Sequence, residues 1–557
     1  MNHNYLVTYY WLTKQFGGGL INQSGGAKGR KKWTTFHHNG VLFPPEYEPH
    51  NIPIIYEGEK IHLSPEEEEA ATLYVRYFDT EHIKNKIFNR NFWNDWKKIL
   101  GKNNIGKIQS LEQINFKLIY DHITSEKEIK KTLSKESKEL TKKEKEEIEK
   151  KYKTAIVDGK EQPVGNFRVE PPGIFIGRGC HPKMGKIKKR IYAEDITLNL
   201  SKDAPIPPAP KGHKWGEIIH DRDVEWLASW KDDITGKIKY VWLAAHSDFK
   251  AESDRRKFDT ARKLKKNIKT IRTENDKNLQ SEDIKTKQIA TALYFIDNLA
   301  LRVGNEKGED EADTVGVTSL RVEHIYLLNN NKVKLDFLGK DSINYVNTVE
   351  VSDQVYKNIE EFMNGKKKDD SLFDQINSND LNKYLQSFMK GLSAKVFRTF
   401  NASYLFQKEL DKITKKYDNY DEADKINILL DQYNLANAKV ALLCNHQKNV
   451  SKSFNDQIVK INEQITNLKK DLKKAKKSKN ENKIININSK IKKLMSKKDL
   501  KIEMKNVSIS TSRVNYIDPR VTIAFMKKHN LDIEKIFSKQ LVERFRWAFD
   551  VDSDFKF

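Results

Sequence analysis

The chain has 557 residues, more than one ordinary core holds, so two to four domains are expected. Lys and Arg number 101 against 78 Asp and Glu, a net charge of +23, which favours a polyanionic partner such as a nucleic-acid backbone. The rival source of that surplus is a Lys-rich codon bias, since Asn and Ile are abundant too. No run of about 20 apolar residues exists, so no membrane span is expected. The widely separated Cys180 and Cys444 exclude a disulfide scaffold and fit a reducing compartment.

In chain order, residues 1–30 end in Gly-rich sequence (GGGLINQSGGAKGR) and read as a flexible arm with no secretory signal. From Trp33 to about Asp248 short strands and helices mix. IIYEGEKIHLS alternates like a hairpin, and Ser64-Pro65-Glu66-Glu67 carries a capping Ser, a Pro at the first helical position and first-turn acids. Residues 125–152 form a highly charged helical stretch, solvated on most of its surface, and PIPPAP (205–210) marks a loop. From Ala251 to about Asn449 helices dominate. TKQIATALYFIDNLALR reads as a buried helix, and KVKLDFLGK and INYVNTVEV alternate like paired strands.

The clearest periodicity comes next. Phe454, Ile458, Ile461, Ile465, Leu468, Leu472 and Ala475 repeat at four and three residues. Ile484, Ile487, Ile491 and Leu494 resume the repeat after the polar gap KKSKNEN. Interrupted heptads predict an antiparallel coiled-coil hairpin. Residues 451–505 hold 17 Lys and 6 acids, a surplus of 11 on this one element. That charge fits either a solvated spacer or an element held over DNA. A short segment from about Val507 closes the chain with the helix-like ERFRWAFD.

No CxxC pair, HExxH or DxD cluster occurs, and no GxxxxGK[ST] loop, so neither a metal nor ATP is expected, and no cofactor. What remains is a set of short strings bearing cations: LALRVGNEK (Arg302), FLGKDS (Lys340), AKVFRTFNAS (Arg398) and LCNHQ (His446), followed by SRVNYIDPR (Tyr516). Singly each is weak. A lone Arg is usually a surface or ion-pair residue, a lone His a satisfied core residue, and a lone Tyr structural.

Together these strings are collinear with a family. With GVLFPPEYEP, NFRVEPPGIFIGRGCHPKMG, GHKW, ADTVG, SLRVEHI and LNKYLQSFMKGLS, they give a chain that resembles eukaryotic DNA topoisomerase I over about nine-tenths of its length. The resemblance implies a multidomain α+β fold: a bilobed DNA clamp with an α/β cap (31–248) and a mostly helical, tyrosine-recombinase-like catalytic domain (249–449). A basic antiparallel coiled-coil linker (450–503) and a small C-terminal domain (504–557) would complete it.

The resemblance also implies roles. Tyr516 is the nucleophile that becomes a 3′-phosphotyrosyl ester. Arg302, Arg398 and His446 donate to the non-bridging oxygens, and Lys340 protonates the departing 5′ oxygen. The chemistry suits these types, because guanidinium forks match a phosphate's equatorial oxygens and stay charged at any working pH. DNA contacts are implied at Arg178, Lys239, Tyr240, Arg302, Val303, Gly304, Asn305, Glu306, Lys307, Ser393, Ala394, Lys395 and Asn515. Camptothecin-class inhibitor contacts are implied at Arg178, Asp341 and Asn515.

The partner is then supercoiled duplex DNA, with no membrane, no obligate protein partner and a monomeric enzyme. Two departures stand out. Cys180 stands where the family has Asn, and only about 30 residues unlike the family precede the resembling core, so import through the family's long charged tail is not expected. The expected location is the nucleus for a cellular protein, or a viral replication site or virion for a viral one. The rival functions are a tyrosine recombinase and a non-enzymatic DNA-binding protein.

Overall fold

The computed structural model describes residues 31–557, apart from 102, 103, 105, 180, 305–312, 419, 421–424, 449, 451, 452, 479 and the side chain of Asp341. The arm 1–30, Cys180, Asn305, Glu306, Lys307 and the Asp341 side chain therefore lie outside the described residues. The described residues divide into two compact units, 31–250 and, in the second, 251–304 with 313–557.

The first unit has two cores. One gathers around Trp96, which is wholly buried and donates its indole N–H to the Glu67 carbonyl at 3.0 Å. Tyr74 stacks on Phe92 with ring centroids 4.1 Å apart. The predicted hairpin is present as strands Ile54–Tyr56 and Glu59–Ile61, paired antiparallel. The helix Pro65–Val75 starts where Ser64 and Pro65 place it, and the Ser64 N–H donates to the Glu67 carboxylate at 2.8 Å. The charged stretch is two helices, Lys117–Thr132 and Lys135–Lys150, not one, with the break at Leu133 and Ser134; the Ser134 hydroxyl caps the second. No residue of that second helix is buried, so the solvated reading of its surface holds.

The second core of this unit packs under a four-stranded sheet in the order Glu217–Ile219, Thr197–Asn199, Trp226–Lys231, Ile238–Trp242, and under a three-stranded one led by Phe36–His38. His38 is sealed inside it at 2% exposure, its Nε2 against the Asn199 carbonyl at 3.1 Å. Burial, with no acidic partner, holds its pKa down to about 4. Below pH 6.5 the unfolded chain therefore binds a proton that the folded chain refuses until about pH 4. Stability is lost as pH falls through that window, by on the order of 2 kcal/mol between pH 7 and 5. Hydrogen-exchange protection of strands Phe36–His38 and Thr154–Val157 should drop accordingly, and His38→Gln should flatten the drop. Equal protection at both pH values, corrected for intrinsic exchange, would discount this histidine.

The second unit is mostly helical. Helix Asp248–Asn278 buries Phe258, Ala261, Leu264, Ile268 and Ile271, one stripe at helical spacing, and Ile284–Leu299 is the buried helix expected from its apolar sequence. The paired strands are Lys332–Gly339 and Ile343–Glu350, in register from Lys332↔Glu350 to Gly339↔Ile343. A third strand that the sequence did not suggest, Ile325–Leu328, joins them. Helices Phe454–Lys477 and Glu481–Glu503 form the hairpin, with Ile461, Ile465, Ala475, Ile487 and Ile491 buried between them. The first helix runs to Lys477, two residues into the polar gap, and Ala475 still packs in the seam. No described helix is long and apolar enough to cross a membrane.

Candidate active site

Four segments of the second unit converge on Tyr516. The first is the exit of helix Ile284–Leu299. It ends at Ala300 in a left-handed conformation (φ 49°), which releases the chain so that Arg302 follows two residues later. The Arg302 backbone is then clamped. Its carbonyl accepts from Val317 N–H at 2.9 Å, and the Val303 carbonyl accepts from Thr318 N–H at 2.7 Å. Here two glycines touch. A Cβ on Gly316 would sit 2.4 Å from the Gly304 Cα and 2.8 Å from the Arg302 carbonyl oxygen, so any side chain would displace the arginine's backbone.

Helix Ala394–Tyr417 supplies the second segment, with Arg398 facing inward at 5% exposure. Its Nη1 donates to the Ala300 carbonyl at 2.6 Å, and its Nη2 donates to the Cys444 carbonyl and lies 3.4 Å from His446 Nε2. Its guanidinium carbon lies 5.1 Å from the Tyr516 ring centroid, and its buried Nε has no hydrogen-bond partner among the described residues. A buried cation with an unused donor is set for an anion.

The third segment leaves helix Lys425–Leu443 through buried Cys444 and Asn445 (φ 50°) to His446. The imidazole stacks on Tyr516 at 5.3 Å between centroids, and its Nδ1 meets the Ser512 hydroxyl at 2.8 Å. Burial, then Arg398 and Arg302, hold its pKa down to about 3, so the ring is neutral at working pH and carries a single N–H. Arg302 is itself depressed below the usual guanidinium range, first by burial and then by Arg398. Its side-chain hydrogen bond to Tyr516 works the other way.

The fourth segment is helix Ile509–Asn515, on whose C-terminal edge Tyr516 sits half-buried. Its backbone is pinned. The Ser403 hydroxyl donates to the Tyr516 carbonyl at 2.9 Å and accepts from the Asp518 N–H at 3.0 Å, and Ser403 lies on the same helix as Arg398. Asp518, with no exposure, pairs with Arg520, which reaches Asp259 at 2.8 Å. The Tyr516 main chain and the buried Arg398 are thus referenced to one helix.

Lys340 stands apart. It begins the turn between strands Lys332–Gly339 and Ile343–Glu350, is exposed, and makes no hydrogen bond or ion pair to the other four. The turn is tethered to the site nonetheless: Asn445 and Gln447, which flank His446, both reach the Asn344 carbonyl, at 3.4 and 3.3 Å. Three non-glycine residues with positive φ (Ala300, Ser342 and Asn445) fall within two residues of Arg302, Lys340 and His446. Each costs about 1 to 3 kcal/mol, and such strain concentrates where geometry serves function.

Three family models tile the chain. "Eukaryotic DNA topoisomerase I, DNA binding fragment" matches residues 31–243, "Eukaryotic DNA topoisomerase I, catalytic core" residues 246–479 and "C-terminal topoisomerase domain" residues 488–557. DNA topoisomerase 1 of Homo sapiens is 42% identical over 556 residues, covering 94% of this chain and 72% of the relative. This chain belongs to the eukaryotic DNA topoisomerase I family. DNA topoisomerase 1 beta of Arabidopsis thaliana is 47% identical over 556 residues, covering 95% of this chain, and DNA topoisomerase 1 of Caenorhabditis elegans 45% over 545 residues. The chain spans 60% of the length of the Arabidopsis relative.

Within that family frame, the sequence-derived contact residues fall in several places. In the first unit Arg178 is exposed. Lys239 bonds ionically to Glu170 at 3.5 Å and Asp232 at 3.7 Å, so a phosphate would have to displace carboxylates there. Tyr240 sits between Trp226 and Trp242, each 5.5 Å away. In the second unit Ser393, Ala394 and Lys395 form the start of the Arg398 helix, with Lys395 exposed, and Asn515 is exposed beside Tyr516. Sequence reading overlooked Ser403, Ser512, Asp518 and Arg520, although all lie in strings already singled out. Asp518 before Pro519 was a readable helix-cap signal; the serines carried none.

Proposed function

We propose that this chain is a type IB DNA topoisomerase: an isomerase that relaxes supercoiled duplex DNA without ATP or metal by nicking one strand, letting it swivel and resealing it. The observation that carries the reading is the convergence of Arg302, Arg398 and His446 on one half-buried tyrosine. The Tyr516 oxygen attacks a backbone phosphorus, losing its proton to solvent. The phosphorus–O5′ bond breaks, and the 5′ oxygen takes a proton from Lys340 on its tethered turn. The two guanidiniums and the His446 N–H hold the charge that builds on the non-bridging oxygens. The phosphotyrosyl ester keeps the energy of the broken bond, so the reverse attack by the 5′ hydroxyl reseals the strand.

Residues 31–248 would act as the cap of a clamp closed on the duplex by residues 249–449. The hairpin 450–503 would tether the C-terminal segment 504–557 that bears the tyrosine. Arg178, Lys239, Tyr240, the Arg302–Lys307 run, Ser393–Lys395 and Asn515 would hold the backbone, which positions DNA without reading sequence. The enzyme would act as a monomer in the nucleus, with Arg178, Asp341 and Asn515 available to a camptothecin-class inhibitor. Supercoiled plasmid incubated with the protein in EDTA and no ATP should resolve into relaxed topoisomers. Its DNA affinity should fall steeply with salt, with a log–log slope of about −0.9 per phosphate contact. Unchanged plasmid under these conditions would overturn the reading.

A further inference from the structure

We propose that Ser512 is a positioning residue for His446, delivered by the nucleophile's own helix; the proposal rests on the topoisomerase reading above. Ser512 has no exposure, and its hydroxyl meets His446 Nδ1 at 2.8 Å. It lies one helical turn before Tyr516, whose N–H donates to the Ser512 carbonyl at 2.9 Å. The same residue therefore holds the nucleophile by its backbone and the imidazole by its side chain.

The other ring nitrogen, Nε2, is the one turned toward Arg398, at 3.4 Å. A guanidinium only donates, so without DNA Nε2 accepts and the Nδ1–H donates to Ser512. A phosphate oxygen at that place needs the opposite, an N–H on Nε2. A hydroxyl can donate as readily as it accepts, so Ser512 satisfies Nδ1 in either protonation pattern and keeps the ring plane fixed while the pattern changes. A backbone carbonyl in its place would serve only one. His446 is further fixed through its main chain, since its carbonyl accepts from the Ser508 N–H at 2.8 Å, at the start of the tyrosine helix. Docking of the tyrosine helix thus orients the third phosphate donor in the same event that presents the nucleophile.

The test is single-turnover cleavage of a duplex oligonucleotide that traps the covalent adduct, with the full chain. Ser512→Ala should slow cleavage at least tenfold, but by no more than the roughly 100-fold or greater cost of deleting a phosphate donor outright. Ser512→Thr, which keeps the hydroxyl, should restore most of the rate. His446→Gln supplies an amide N–H that needs no proton placement, so on that background Ser512→Ala should have almost no effect. Ser512→Ala and Ser512→Thr should leave DNA affinity unchanged.

Equal losses from Ser512→Ala with and without His446→Gln would overturn the proposal, as would wild-type cleavage by Ser512→Ala. If Ser512→Ala does not fold, a Ser512→Thr enzyme as slow as His446→Ala would overturn it as well. Failure of the underlying reading is a different result: the unmodified chain would form no adduct at all.

Discussion

Replacing Tyr516 by phenylalanine should abolish strand cleavage and relaxation while leaving DNA affinity within about twofold of the parent. The substitution removes one oxygen. The ring keeps its stack on His446 and its place beside the Arg398 guanidinium, so the site retains its shape. Losing a nucleophile costs at least on the order of 10⁴-fold in rate, because the remaining groups stabilise a transition state that no longer forms. Affinity survives because it sums over many phosphate contacts elsewhere. The check is a denaturing gel for the protein–DNA adduct alongside a binding titration. An adduct formed by the variant would move the nucleophile to another residue and dismantle the site.

Arg398→Ala carries the second large effect, and it acts on two quantities. Cleavage should fall about 10²-fold to 10³-fold, the scale for one donor aimed at developing charge. Stability should fall too, because the carbonyls of Ala300 and Cys444 lose their donor inside the protein, at about 1 to 3 kcal/mol for each group left unpaired. Arg398→Lys should rescue little, since one ammonium cannot span both carbonyls and still meet a phosphate.

The histidine gives an independent readout. After burial, Arg398 is the larger of the two charges holding His446 near a pKa of 3, so its removal should move that midpoint upward. Imidazole C–H shifts followed by NMR from pH 3 to 7 would show it. A midpoint that stays put would mean the guanidinium and the ring do not share the field that the 3.4 Å approach implies.

The sequence by itself determined a good deal. Heptad spacing placed the hairpin, because a seam of Ile and Leu at 3.5 residues can be buried only by a second helix, and the short polar gap KKSKNEN leaves only an antiparallel return. Alternation placed the strands on either side of Lys340, and Ser64-Pro65 placed a helix start. The candidate site residues were named only through resemblance: collinear strings pointed to Arg302, Lys340, Arg398, His446 and Tyr516, though nothing in any one string said that Arg302, Arg398 and His446 would meet at Tyr516.

Only the tertiary structure decided how those residues meet. The strings lie up to 214 positions apart from Arg302 to Tyr516, and one-dimensional periodicity reports which face of an element is buried, not what it is buried against. That Ser403 ties the Tyr516 backbone to the helix of Arg398, or that Ser512 meets His446, depends on two helices packing to within a hydroxyl's reach. A serine gives no advance sign of this, since its short polar side chain is as common in solvent as in a core. The same holds for Gly304 and Gly316. Each reads as an ordinary loop glycine until the fold presses their backbones together, where a single Cβ would push Arg302 out of place.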